Sequence, residues 1–469
     1  MLPTGLTIEA ENRKNISSSN HSDEIKQKVN TSLSLKTFLD TINYYIKKKA
    51  RENFYSALQF IDIGEIHIID ENGTERIFGN SKNSDIKSKI TIKNSNFWLQ
   101  LGCKAKIGIA ESYINREIDI ENLVGFFEIY ILNREHLSTH FSSLKSAIYS
   151  FIIKTTISSL NSISDNAKIH YNMGNETFGM FLDETMSYSC GIWNSPSDSL
   201  YVSQINKYNQ IIKLLGIRSC DRVAEQTGCK VVGLTVSEEQ LKMANKRINK
   251  NNKDRVLYII CDILKYNSEH AFDKIVSIEM FEHLGIKNFI PFFKKCNELL
   301  DKQTGLMYLQ TSAMCEQYYD TYKNSCDFIS QYIFPGGHLP ALSSIAKAIK
   351  DATRGSLSIE RVDNTPEHYA RTLQEWRLEF IKNYNKIKAE KSNSNLFEGK
   401  NKGVGLGIET NNTKDNQIFD KSFKNKMEYY FAYCESGFKT RTLSLLQIVI
   451  TRSLNPMLNG SEFYSKKYL

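Results

Sequence analysis

Three short runs decide the fold: Lys230-Val-Val-Gly-Leu-Thr235, Val256-Leu-Tyr-Ile-Ile260 and Lys274-Ile-Val-Ser-Ile278. Each is apolar or β-branched and bounded by polar residues, the pattern of a strand buried on both faces. Segments of helical period, Gln204–Leu215 and Ser237–Asn249, alternate with them, and a further apolar run follows at Met307–Gln310. Such alternation predicts a doubly wound α/β domain, a mainly parallel sheet with helices on both faces.

Upstream, Leu35, Phe38, Leu39, Ile42, Tyr45 and Ile46 recur at helical spacing within Leu35–Arg51. Ile61–Ile69, Ile90–Leu101 and Phe126–Leu132 read as strand-like runs, with a turn signal at Glu71-Asn72-Gly73. These predict a smaller N-terminal α+β domain over 35–160 and the larger α/β domain over 161–469. Residues 1–34, rich in Asn, Ser and Lys, read as a disordered tail. Residues 389–418 read as a polar low-complexity insertion between helices Glu367–Ala389 and Phe419–Tyr433.

Composition narrows the function classes. With 41% hydrophobic and 24% charged residues, the 469-residue chain can build a sizeable core and is neither fibrous nor wholly disordered. Nine cysteines without a Cys-x-x-Cys pair suit a reducing compartment better than a disulfide or zinc framework, and no metal is expected. The net charge of +8 is dispersed and accompanies no RNA- or DNA-binding motif, so no nucleic-acid partner is expected. No run of 18 apolar residues occurs, and Phe141–Ile163 is interrupted by Lys145 and Lys154. The first 30 residues lack the regions of a signal peptide, which points to a cytoplasmic protein.

The chemistry sits in ordered motifs. His170–Trp193 contains Tyr188-Ser-Cys190; then come Val232-Gly-Leu-Thr-Val-Ser-Glu-Glu-Gln240 and Ile275-Val-Ser-Ile-Glu-Met-Phe-Glu-His-Leu-Gly285. Tyr332-Ile-Phe-Pro-Gly-Gly-His-Leu-Pro340, His368-Tyr-Ala-Arg-Thr-Leu-Gln-Glu-Trp376 and Cys434-Glu-Ser-Gly-Phe438 follow. In these residues the chain resembles the cyclopropane-fatty-acyl-phospholipid synthase family, and Gly108-Ile-Ala-Glu-Ser-Tyr-Ile114 resembles the pre-catalytic domain of its longer members. The likeness runs in the family's order over roughly residues 40–460.

That resemblance implies a class I methyltransferase-like fold using S-adenosylmethionine (SAM). It implies methyl transfer to the double bond of an unsaturated phospholipid acyl chain. The product would be a cyclopropane ring or a methyl branch, with bound bicarbonate taking a proton from a carbocation. It assigns the bicarbonate pocket to Cys190, Ile278, Glu282 and Tyr369. Gln310 stands where family members carry a histidine, so a histidine relay is not available here. For the cofactor it points to Tyr188 and Ser189 beside the methionine part, Thr235 and Gln240 near the ribose, and Asp262 toward the adenine. Taken alone, Cys190 reads as a small buried hydrophobe, Tyr369 as core and Asp262 as a turn residue. Peripheral contact with membrane phospholipid is the expected mode of docking, and the family allows a homodimer.

One departure is large. A domain of this kind should open with a strand and a glycine-rich turn that lets backbone approach the cofactor. Here Leu214-Leu-Gly-Ile-Arg-Ser-Cys-Asp-Arg-Val223 runs straight into Ala224-Glu-Gln-Thr-Gly-Cys-Lys230, which is short by roughly 12–15 residues. Removing a central strand leaves its neighbours without ladder partners, at roughly 1–3 kcal/mol for each buried unpaired group. The alternatives to a phospholipid enzyme are a catalytically inactive lipid-binding pseudoenzyme and a methyltransferase acting on a sphingoid base.

Overall fold

The computed structural model describes residues 21–82, 84–141, 174–217, 229–248, 250–398 and 420–458. Helix α1 (His21–Leu58) starts well before Leu35, so helix replaces the disordered tail expected over the last part of 1–34; residues 1–20 lie outside the described set. No Gly or Pro interrupts this span, which lets the helix run back through polar residues.

Strands β1 (Gly64–Ile69), β2 (Glu75–Asn80) and β3 (Lys87–Ile92) follow, then α2 (Asn96–Lys104), α3 (Lys106–Ile114) and β4 (Ile118–Glu121). Helices α4 (Leu123–Leu132) and α5 (Arg134–Phe141) complete this part. The sheet order is β2-β1-β3-β4, with β1 antiparallel to β2 and parallel to β3. Two strand-like runs resolve differently from expectation. The strand in Ile90–Leu101 stops at Ile92, and Phe126–Leu132 is helical. A short apolar run carries no period that separates strand from helix. The cap decides it: Asn122 sits at φ 54 and its side chain accepts from Gly125 N, starting α4.

The larger part begins with α6 (Gly174–Gly179) and α7 (Leu200–Leu214), the latter capped by Ser199, which accepts from Val202 N. It continues through β5 (Val231–Thr235), α8 (Glu238–Arg247), β6 (Val256–Ile260), β7 (Lys274–Ile278), α9 (Phe289–Leu299) and β8 (Leu306–Met314). Then come α10 (Glu316–Tyr322), α11 (Phe328–Tyr332), α12 (Leu342–Thr353), β9 (Leu357–Asn364), α13 (Pro366–Glu398), α14 (Lys421–Lys439) and β10 (Leu443–Arg452). Helix α13 therefore runs into the expected low-complexity insertion as far as Glu398.

The α/β alternation holds, with β5 parallel to β6 and β7 parallel to β8. Strand β10 is antiparallel to both β8 and β9, so the sheet is mixed. It lies in two pieces, β7-β8-β10-β9 and β5-β6. Among the described residues no strand joins β5 to β7, and the junction that lacks the glycine turn, within 218–228, lies outside them. Burial follows the break. Nine of the ten residues of β10, Ser444 through Arg452, are buried, whereas no residue of β5 or β6 is.

The two parts share a core. Phe127 of α4 meets the rings of Tyr429 and Tyr433 in α14 at 4.9 and 5.3 Å, edge to face. Buried residues from Phe54 and Trp98 through Phe181, Trp376 and Phe431 form one continuous cluster. Among the described residues no helix is long and apolar enough to cross a membrane.

Candidate active site

Strand β7 ends at Ile278, and the chain turns at once. Glu279 has φ 47, a conformation that favours glycine and costs a side-chain-bearing residue on the order of 1–3 kcal/mol. Its backbone N donates to Gln310 O of β8 at 2.8 Å, fixing the turn to the sheet. Its carboxylate gathers three donors. Cys190 N reaches Oε1 at 2.9 Å, Gln310 Nε2 reaches Oε1 at 2.7 Å, and Tyr369 OH reaches Oε2 at 2.5 Å. Gln310 is oriented in turn by Tyr308, whose hydroxyl donates to Oε1 at 3.0 Å.

Of the residues assigned to a bicarbonate pocket, Cys190 and Tyr369 meet, together with Gln310, around a carboxylate of the chain itself, while Glu282 has other partners. Cys190, Gln310 and Tyr369 donate to Glu279, which the sequence reading passed over in favour of Glu282. Bicarbonate does not fit here, because its three donors are already engaged. The thiol of Cys190 points elsewhere, to Gly191 O at 3.0 Å, and burial raises its pKa well above the ordinary range. Ile278 lines the cavity beside Glu279.

Glu282 belongs to the same cavity but has different partners: Thr311 Oγ1 donates to it at 2.8 Å and Ser312 N at 3.2 Å. Burial, then the negative charge of Glu279, pushes its carboxyl up to about 8. Burial also raises Glu279, while Tyr369, Cys190 N and Gln310 hold it down. Both carboxyls are raised by burial, and the charge of Glu279 raises Glu282 further, so Glu282 holds its proton at neutral pH. His283 is buried beside Phe334, and burial lowers it to about 4, so it stays neutral.

The cofactor candidates line the same cavity, about 990 Å³ in volume. Tyr188 stacks on Trp376 at 5.3 Å and its hydroxyl is 2.8 Å from that of Tyr430. Ser189 Oγ accepts from Lys207 Nζ at 2.6 Å. Thr235, closing β5, donates to Gln240 Oε1 at 2.6 Å. Asp262 follows β6 and accepts from Leu264 N at 2.9 Å, capping a short turn. These residues fit SAM in chemistry: hydroxyl and amide groups at a strand end suit sugar hydroxyls, and Tyr188 and Ser189 suit the amino-acid end.

Lys207 was not singled out from sequence. It is 1% exposed, and burial lowers its pKa to about 8. The signal was present: Gln204, Lys207 and Ile211 share the buried face of α7 at helical spacing, an unusual place for a lysine.

The family described as mycolic acid cyclopropane synthetase matches residues 158–398, just over half of the chain. The cyclopropane-fatty-acyl-phospholipid synthase of Escherichia coli (strain K12) is 27% identical over 389 residues, covering 79% of this chain and 90% of that protein. The tuberculostearic acid methyltransferase of Mycobacterium tuberculosis (strain ATCC 25618 / H37Rv) is 25% identical over 383 residues, covering 76% and 81%. Among solved structures, coclaurine N-methyltransferase bound to N-methylheliamine and SAH superposes with a TM-score of 0.51 at 16% identity, covering 74% of this chain and 99% of that one; this likeness concerns the fold alone. With the motifs in order, the sheet of the expected class and the family match over more than half its length, the chain belongs to the mycolic acid cyclopropane synthetase family of SAM-dependent methyltransferases.

Proposed function

We propose that the protein transfers the methyl group of SAM to the double bond of an unsaturated phospholipid acyl chain, with Glu279 taking the proton that bicarbonate was expected to take. One observation carries this reading: a carboxylate bonded by Cys190 N, Gln310 and Tyr369, at the wall of a large and mainly apolar cavity. SAM supplies an electrophilic methyl group when bound. The alkene π electrons form a new C–C bond as the S–CH₃ bond breaks, leaving a carbocation. Loss of one proton to Glu279 then closes a cyclopropane or leaves a methylene branch. Ring or branch depends on which C–H the carboxylate meets.

This chain's residues prepare that step. Tyr369 and Gln310 hold Glu279 in position, and burial makes it a stronger base than an ordinary surface carboxylate. Glu282, retaining its proton, leaves Glu279 as the single anion of the pair. Peripheral docking on a membrane delivers the substrate. The test incubates the full chain with SAM and vesicles of unsaturated phospholipid and analyses the chains by mass spectrometry. Acyl chains heavier by one methylene are expected; unchanged chains in the presence of bound SAM would overturn the proposal.

Among the described residues no strand joins β5 to β7, which favours a second reading, a lipid-binding pseudoenzyme with a weakened cofactor site. Calorimetry separates the two: lipid binding without any SAM binding would select it.

A further inference from the structure

We propose that the outer end of the cavity is a binding site for the phosphate of a glycerophospholipid headgroup, formed by Lys106 and Arg134. The inference rests on the acyl-chain reading of the cavity. Both residues line the cavity that Glu279 lines. Apolar side chains, among them Ile107, Phe126, Phe127 and Phe438, line it as well. Lys106 is exposed and Arg134 half-buried, whereas Glu282 in the same cavity is buried, so the cavity grades from an enclosed polar end to a cationic rim.

The rim is built in place. Lys106 opens α3 directly after Ala105, whose φ of 49 reverses the chain between two helices. Arg134 opens α5 after Asn133, a buried residue whose side chain accepts from Asp62 N and Ile63 N and donates to Ile63 O and Ile129 O. The guanidinium lies 3.5 Å from the ring centroid of Tyr318 and donates to Thr442 Oγ1 at 3.0 Å. Lys106 Nζ stands 5.1 Å from the ring centroid of Tyr130. Among the described residues no carboxylate pairs with either cation. Aromatic faces therefore hold two cations at the mouth of an apolar channel without neutralising them.

A phosphate diester suits that pair. A guanidinium bonds phosphate oxygens through its planar fork and an ammonium adds a point charge. Glu135, next to Arg134, and Asp327 line the cavity too, but neither pairs with Lys106 or Arg134. A sphingoid base would bring its own ammonium to these cations and be disfavoured.

Binding is measured without SAM, so the result does not depend on turnover. The full chain is titrated with monomeric 1-oleoyl lysophosphatidylglycerol, with monoolein, with sphingosine and with inorganic phosphate alone. The wild type should bind the lysophospholipid about ten to a hundred times more tightly than monoolein, the size of one or two charge-assisted contacts. Sphingosine should bind no better than monoolein, and inorganic phosphate should not saturate. Lys106→Gln should reduce the ratio, and Lys106→Gln with Arg134→Gln should abolish it. Retained monoolein binding shows that the variants fold. Equal lipid affinities in the wild type, a ratio unchanged in the double variant, or saturable binding of phosphate alone would overturn the site. Failure of the wild type to bind either lipid would overturn it together with the acyl-chain reading, whereas equal binding leaves that reading standing.

Discussion

The two pieces of the sheet make opposite use of similar sequences. Strands β8 and β10 lie side by side, and Met307, Tyr308, Leu309, Ile448 and Ile450 are fully buried. Strands β5 and β6 are just as rich in branched apolar residues, yet Leu257 and Ile260 are 56% and 46% exposed, and Val276 of β7 is 44% exposed. The difference is the neighbour. A strand becomes a core element when it is paired on both edges and covered on both faces. The larger piece presents Glu279 and Gln310, while the smaller one presents Thr235 and Asp262, so in the proposed reaction the proton acceptor and the cofactor candidates sit on different pieces.

Restoring the missing element attacks the comparison most directly. Inserting a strand and glycine turn of roughly 12–15 residues between Val223 and Ala224 should tighten SAM binding by a hundredfold or more in calorimetry, since several unpaired groups at roughly 1–3 kcal/mol each would be satisfied. Unchanged affinity would show that the two pieces do not differ in the way argued. Next in size is Tyr369→Phe, which removes one hydrogen bond to Glu279 and leaves the ring in place. Turnover should fall about ten- to a hundredfold while lipid binding stays constant.

A pH test follows. Glu282 binds its proton more tightly in the folded state, up to about pH 8, than an ordinary carboxyl does near 4.5. Its contribution to stability is complete below 4.5 and declines as pH rises toward 8. Glu282→Gln should therefore flatten the fall of melting temperature across that window; an unchanged slope would show that Glu282 does not hold the proton. The smallest effect is expected at Asp262→Ala, which removes a turn cap on the interrupted side. A loss of about 1 kcal/mol or less in denaturant unfolding is expected.

Much of this was legible in the residues. Lys230–Thr235, Val256–Ile260 and Lys274–Ile278 form strands where their composition placed them, because polar turns bound each run. The lack of a glycine turn is read from flanks that meet at Val223 and Ala224, a junction outside the described residues. Phe126–Leu132 was misread because its helix depends on Asn122, a cap outside the apolar run. Glu279 was missed for a different reason. Its donors Cys190, Gln310 and Tyr369 lie 89, 31 and 90 residues away along the chain, so its centrality exists only after folding. A carboxylate immediately after a buried strand was the one local hint.

The most direct test of the account follows methyl-labelled SAM, at saturating concentration, into vesicles of unsaturated phospholipid with the wild type and Glu279→Gln. The account expects label in the acyl chains with the wild type, and a loss of about a hundredfold or more with the variant while lipid binding is kept. Label transferred at the wild-type rate by Glu279→Gln, or label found in the headgroup instead of the chains, would contradict it.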